Sequence, residues 1–133
     1  MADNRFERRA RILSVRMVRS FYFAFAGVAY LLRTQRSARI HVLVGMGVCA
    51  LGVWLDITRV EWAVVTLTIA SVLILEGLNT ALEAAVDLAS LRLHPLAKAA
   101  KDLAAGMVLI AALAAVVVGL LIFGPGVWEK VAR

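Results

Sequence analysis

Residues 62–87 read WAVVTLTIASVLILEGLNTALEAAVD. The apolar run from Trp62 to Leu75 does not stop at a loop but continues through Glu76 to Asp87 as helix-forming sequence that is acidic along one side. At 100° per residue, Glu76, Asn79, Thr80, Glu83 and Asp87 fall within about 100° of arc, so three carboxylates share one stripe. Measured from Trp62 at ~1.5 Å per residue, Glu76 lies ~21 Å along the helix and Glu83 ~31 Å. Against a hydrocarbon core ~30 Å thick, Glu76 sits inside the apolar slab near one boundary and Glu83 near the headgroups. An ionisable group at that depth is expensive and marks a functional site by default. Such a stripe must face protein or water, which implies close packing with other helices or with other copies.

The rest of the chain fits a membrane protein. It has 133 residues, 62% apolar and 18% charged, with a mean hydropathy of +0.86. Nine of the fifteen Lys and Arg precede His41, offset there only by Asp3 and Glu7, and long later stretches carry almost no charge. That distribution excludes both an ordinary water-soluble enzyme and a disordered chain. The net charge of +6 comes with no aromatic-interleaved basic motif, so it points to anionic headgroups rather than nucleic acid. Cys49 is the single cysteine, which excludes an internal disulfide and a thiolate metal site, and its apolar setting predicts a small buried hydrophobe. Ala24-Phe25-Ala26 resembles a cleavage site, but the basic region ahead of it is long, and an uncleaved N-terminus is expected.

Four elements are predicted in one membrane domain over residues 1–133. An amphipathic helix covers 5–33: Leu13, Met17, Phe21, Phe25, Val28 and Leu32 recur at spacings of three and four, with Arg9, Arg16 and Arg19 on the other side, as suits a helix lying in the interface. After a polar break from Thr34 to Arg39, a first span covers 40–55, where Gly45 and Gly47 suggest close helix packing. Asp56 to Glu61 forms a polar turn, and the second span with its acidic extension covers 62–87. Ser90 to Pro95 breaks the chain. A third helix covers 96–123, its membrane part beginning at Leu103, and Gly124-Pro125-Gly126 ends it, with Trp128 as an interfacial anchor. Placing the N-terminus and the loop from Leu88 to Lys101 inside puts twelve Lys and Arg on that side and leaves Arg59, Lys130 and Arg133 outside. The positive-inside rule then gives an all-α protein with three spans, N-terminus in and C-terminus out.

Lys98, Lys101 and Asp102 start the third helix close to where Glu83 and Asp87 emerge, and Arg16, Arg19, Arg36 and Arg39 come from the N-terminal part. Carboxylates hold Mg²⁺ through oxygen, Lys and Arg hold phosphate, and a buried carboxylate can take a proton from a hydroxyl. These are parts for phosphoryl transfer at a membrane surface. A non-enzymatic carrier or interaction subunit would also use buried acids and bases. There is no GxxxxGK[ST] sequence and no DFG. His41 and His94 lack metal-ligand spacing; His94-Pro95 makes a turn, from which His94 could meet phosphate.

The sequence Glu76-Gly-Leu-Asn-Thr-Ala-Leu-Glu-Ala-Ala-Val-Asp87, followed by His94-Pro-Leu-Ala-Lys98 and Ala100-Lys-Asp102, resembles the bacterial diacylglycerol kinase and undecaprenol kinase family. It matches every fixed position of E-x-x-N-[ST]-A-[IL]-E-x-x-V-D and the later A-K-D, and the likeness covers nearly the whole chain. The resemblance implies a homotrimer in the bacterial plasma membrane, with composite cytoplasmic active sites between neighbouring subunits. It also implies ATP- and Mg²⁺-dependent phosphorylation of a lipid hydroxyl. By the same resemblance Glu76 is the general base, and Asn79 orients that base and the γ-phosphate. Glu83 is a metal ligand at the nucleotide, Lys101 and Asp102 contact ATP, and Arg16 meets the phosphates, with Asp87 and His94 in support. One position departs: Gln35 stands where many members carry a glutamate as second metal ligand, so a Gln35 carbonyl or a bridging water is expected in its place, with weaker metal binding. Arg39-Ile40-His41 and residues 94–98 look more like the undecaprenol-kinase branch than the branch preferring diacylglycerol.

Overall fold

The computed structural model describes the backbone of residues 3–89 and 94–132, with side chains from Arg16 onward. Four helices follow in order: α1 (Asp3–Thr34), α2 (Arg36–Leu55), α3 (Arg59–Ala89) and α4 (Pro95–Val131). Three of them, α2, α3 and α4, are long and apolar enough to cross a membrane. The chain divides into two compact units, residues 1–34 and 35–133.

The first unit is α1 alone, and its described side chains are almost all exposed. Arg19 stacks 5.5 Å from the centroid of the Phe23 ring, one turn on. At the helix end the Thr34 hydroxyl bonds back to the Tyr30 carbonyl one turn earlier (2.8 Å), as threonine does inside a helix.

The second unit is built on an antiparallel α2–α3 hairpin. The predicted polar break shrinks to one residue: Gln35 is extended (φ −100°, ψ 118°) and α2 begins at Arg36, four residues before the expected span. The turn between α2 and α3 is equally short. Asp56 adopts the left-handed conformation (φ 55°), its N–H bonds the Val53 carbonyl (3.3 Å), and the Ile57 N–H bonds the Gly52 carbonyl (3.2 Å), closing a Schellman end. Thr58 then caps α3. Its N–H and hydroxyl both donate to Glu61 Oε2 (2.7 Å each), and the Glu61 N–H returns to the hydroxyl (3.3 Å). This capping box absorbs helix-start donors and holds the Glu61 carboxyl, which precedes the apolar run, below the usual carboxylate range.

The hairpin packs in a seven-residue rhythm of small against large. Ala38, Gly45 and Gly52 are the buried residues of α2, and Ile69 and Trp62 lie over Gly45 and Gly52. A Cβ on Gly45 would stand 3.3 Å from Ile69, and one on Gly52 3.0 Å from the Trp62 ring and 3.1 Å from Ile57. Small residues let the two backbones approach closely where lipid supplies no hydrophobic drive. We expect Gly52→Ala to lower the melting temperature in detergent, because overpacking by about 1–3 kcal/mol exceeds the helix-propensity gain of about 1 kcal/mol. Gly47→Ala, whose Cβ meets nothing within 4 Å, should leave it unchanged or raise it. Equal behaviour of the two would remove the packing role assigned to Gly52.

Helix α4 lies mainly along α3 and reaches back to the end of α2. His94 caps it, accepting the Leu96 N–H on Nδ1 (3.2 Å), and Pro95 takes the first helical position, where a missing N–H costs nothing. Between α2, α3 and α4 lies an apolar groove of about 380 Å³, lined by residues such as Val44, Val65, Ile69, Val72 and Phe123, with His41 and Thr68 as its polar members.

The structure corrects two expectations here. Helix α4 does not end at Gly124-Pro125-Gly126 but continues with Pro125 inside it to Val131. The extension is held from outside. Gly126 lies against Leu55, Lys130 Nζ donates to the Trp54 carbonyl (2.7 Å), and the same ammonium sits 4.7 Å from the centre of the Trp54 ring. That carbonyl is one a helix end leaves open, so α4 supplies the partner that α2 lacks. Cys49 is exposed on α2 rather than buried, because the buried positions of that helix follow the small-residue seam and Cys49 falls off it. Of the expected break from Ser90 to Pro95, residues 90–93 lie outside the described residues, and Pro95 already belongs to α4.

Candidate active site

The face of α3 that packs in the hairpin continues directly into the acidic stripe. Val65, Val72, Glu76 and Thr80 are its buried residues, and Asn79, Glu83 and Asp87 extend the same side toward Ala89. Glu76 stands seven residues after Ile69, so it occupies the next layer of the seam, in register with fully buried Ala38. It retains only 3% of its exposure. An isolated carboxylate so enclosed is costly unless hydrogen-bonded. Ser37, in the first turn of α2, meets this need by donating its hydroxyl to Glu76 Oε1. Thr80, also buried, donates to the Glu76 backbone carbonyl (3.0 Å).

One turn further, Asn79 Nδ2 donates to Glu83 Oε1 (3.2 Å). This fixes the amide with its oxygen pointing the other way, and Asn79 Oδ1 is buried with no partner. An orphaned buried acceptor is rare and requires an explanation. At the end of the stripe, Asp87 Oδ1 accepts from Lys101 Nζ at 2.8 Å, joining α3 to the start of α4. This hydrogen bond raises the Lys101 pKa, just ahead of the apolar stretch that begins at Leu103, while partial burial works against it.

The predicted residues are therefore only partly brought together. Glu76, Asn79, Glu83 and Asp87 form one ladder, and Lys101 closes its end. Asp102 pairs with Lys98 one turn earlier on its own helix, on the exposed surface, rather than standing with Lys101. His94 is used as a helix cap. Gln35 is half-buried at the N-cap of α2, and its side chain makes no capping hydrogen bond. Arg16 belongs to the first unit and is exposed. Ser37 was not among the expected site residues. No pattern in the sequence links it to Glu76, 39 positions away.

Among the described residues no group of three His, Cys, Asp or Glu could enclose a metal ion. The donors that are present suit a different arrangement. Glu83 offers a hard carboxylate oxygen, and Mg²⁺ is commonly held by one or two protein oxygens together with substrate phosphates and water. The donor set fits a divalent ion that arrives with a nucleotide.

Comparison with known proteins identifies the family. A family model described as prokaryotic diacylglycerol kinase matches residues 22–123. A diacylglycerol kinase of Synechocystis sp. is 52% identical over 101 residues, covering 75% of this chain and 58% of that protein's length. An undecaprenol kinase of Bacillus subtilis is 41% identical over 110 residues, covering 83% of this chain and 89% of its own. A Pseudomonas aeruginosa diacylglycerol kinase is 35% identical over 88 residues, covering 66% of this chain and 72% of its own. With a buried glutamate at the head of an acidic ladder, three helices able to span a membrane, and a family match over most of its length, the chain belongs to the prokaryotic diacylglycerol kinase family, and is by that membership a lipid kinase.

Proposed function

We propose that this chain transfers the γ-phosphate of ATP, with Mg²⁺, to the primary hydroxyl of a membrane lipid alcohol, with undecaprenol as the preferred acceptor. The observation that carries the reading is the placement of Glu76: an almost completely buried carboxylate at the end of the apolar seam, with Asn79, Glu83 and Asp87 on the following turns. A lipid alcohol presents its hydroxyl at that depth, and ATP approaches from the aqueous end. Glu76 takes the hydroxyl proton as the oxygen attacks the γ-phosphorus, and the bond to the β-phosphate oxygen breaks to release ADP. Glu83 would hold the metal, which would supply neutralisation of the negative charge that develops during the transfer, and Asn79 would orient Glu76 and the γ-phosphate. Lys101, held in place by Asp87, would meet the nucleotide, and the family resemblance adds Asp102, Arg16 and His94 to the residues that serve ATP.

The family names divide between diacylglycerol and undecaprenol, and the lean to undecaprenol rests on the likeness of residues 39–41 and 94–98 to that branch. Assembly as a homotrimer is part of the proposal. On α3, opposite the hairpin seam, Val60, Val64, Leu67, Ser71, Ile74 and Leu78 form an exposed stripe spaced alternately by four and three residues, the pattern through which helices pair. The N-terminus and active site are placed on the cytoplasmic face of the bacterial plasma membrane by the excess of Lys and Arg there.

The test supplies labelled ATP and Mg²⁺ to the purified protein in bicelles, with undecaprenol and diacylglycerol offered in parallel. Label on undecaprenol is the expected result. Label on diacylglycerol alone would keep the mechanism and reverse the substrate assignment, and label on neither, with the protein folded, would overturn the reading.

A further inference from the structure

We propose that Ser37 is a positioning residue for the phosphoryl transfer: its hydroxyl holds one oxygen of the Glu76 carboxylate, so that the other alone faces the lipid alcohol. This rests on the reading of Glu76 as the base.

The local sequence makes the contact. Gln35 is the one extended residue between α1 and α2, so Ser37 falls in the first turn of α2. A serine there ordinarily bonds back to its own helix start. Here it reaches across to α3 instead, because fully buried Ala38 brings the backbones together at this layer as Gly45 and Gly52 do at the next two. Serine is short, and its oxygen meets the carboxylate only at such an approach. Its one proton is given to Glu76 Oε1. Glu76 Oε1 is then occupied, and the χ angles of the side chain are fixed by the bond on one side and packing on the other.

The consequence is geometric. A carboxylate free to turn presents either oxygen and both faces; one pinned at Oε1 presents Oε2 with a single orientation. A general base must lie within hydrogen-bond reach of the proton it takes, and small misplacements of reacting groups are costly in rate. The Ser37 hydroxyl bonds Glu76 and not Glu83 or Lys101, so its loss should leave nucleotide affinity alone. Thr80, the other hydroxyl in this layer, donates to the Glu76 backbone and cannot substitute.

The experiment measures kcat and KM for ATP and lipid in the purified full chain, with Ser37 replaced by Ala, Thr and Cys. We expect Ser37→Ala to lower kcat about tenfold, the equivalent of ~1.4 kcal/mol in the barrier, with both KM values within about twofold. Ser37→Thr, which keeps the hydroxyl, should restore kcat to within about threefold of the parent, and Ser37→Cys, a weak donor of similar shape, should fall between. Melting temperatures are taken in parallel. Should Ser37→Ala fail to fold, Ser37→Cys decides. Parental kcat in Ser37→Ala or Ser37→Cys overturns the assignment, as does a loss carried entirely in KM or one that Thr does not restore. A parent protein that phosphorylates no lipid would instead overturn the base reading itself, so the two failures are distinguishable.

Discussion

Glu76→Gln is expected to lower kcat for lipid phosphorylation by about 10²–10⁴-fold, the usual contribution of a positioned general base. The amide matches the carboxylate in shape and can still receive the Ser37 hydrogen bond on its oxygen, so the hairpin should assemble and melt close to the parent. It cannot accept a proton at neutral pH. The loss therefore appears in turnover, and excess Mg²⁺ or ATP should not recover it. Measuring kcat at saturating ATP over a range of Mg²⁺ concentrations, alongside thermal melting, checks this directly. Ordinary turnover by a well-folded Glu76→Gln protein would exclude proton abstraction at this position and leave the buried carboxylate with a packing role only.

The second large effect concerns Glu83, and it should differ in kind. Glu83→Gln keeps an oxygen at the site but removes a negative charge beside the proposed cation. The Mg²⁺ concentration for half-maximal rate should rise by about tenfold or more, or ~1.4 kcal/mol per factor of ten, and high Mg²⁺ should recover much of the lost rate. Gln35→Glu is expected to act in the opposite direction, lowering the Mg²⁺ requirement, because it adds a carboxylate at the start of α2, where the family resemblance expects a second metal ligand. A titration of rate against Mg²⁺ for the parent and both variants separates these outcomes. If Glu83→Gln behaved like Glu76→Gln and ignored added metal, Glu83 would not be a metal ligand.

These two residues were legible in the sequence because the membrane makes charge conspicuous. Glu76 follows fourteen uncharged residues, and the 3.6-residue period alone places Asn79, Glu83 and Asp87 on its side of the helix. The link from Asp87 to Lys101 was legible for the same reason, since opposite charges flank one short connection. Other partners were less visible. Asp102, expected with Lys101 at the nucleotide, pairs with Lys98, since the (i, i+4) spacing on one helix brings that ammonium within reach. His94 was read as a turn residue able to meet phosphate, and its ring is engaged in capping α4.

Composition and period by themselves determined that this is an all-α membrane protein with three spans behind an N-terminal helix, because twenty or so apolar residues in lipid have few ways other than a helix to satisfy their backbone. They also determined which side of α3 carries the acidic ladder. Only the tertiary structure decided which groups complete it. The hydroxyl of Ser37 lies thirty-nine positions from Glu76 and no local pattern connects them; they meet because Ala38, Gly45 and Gly52 let α2 and α3 approach at one register. The same holds at the far end of the hairpin, where Gly124-Pro125-Gly126 carries every local mark of a helix stop. The helix continues there because Leu55 and Trp54 of α2 provide surface, carbonyl and ring for Gly126 and Lys130. Local preference is worth a few kcal/mol at a proline, and a packed neighbour that supplies the missing partners can outweigh it.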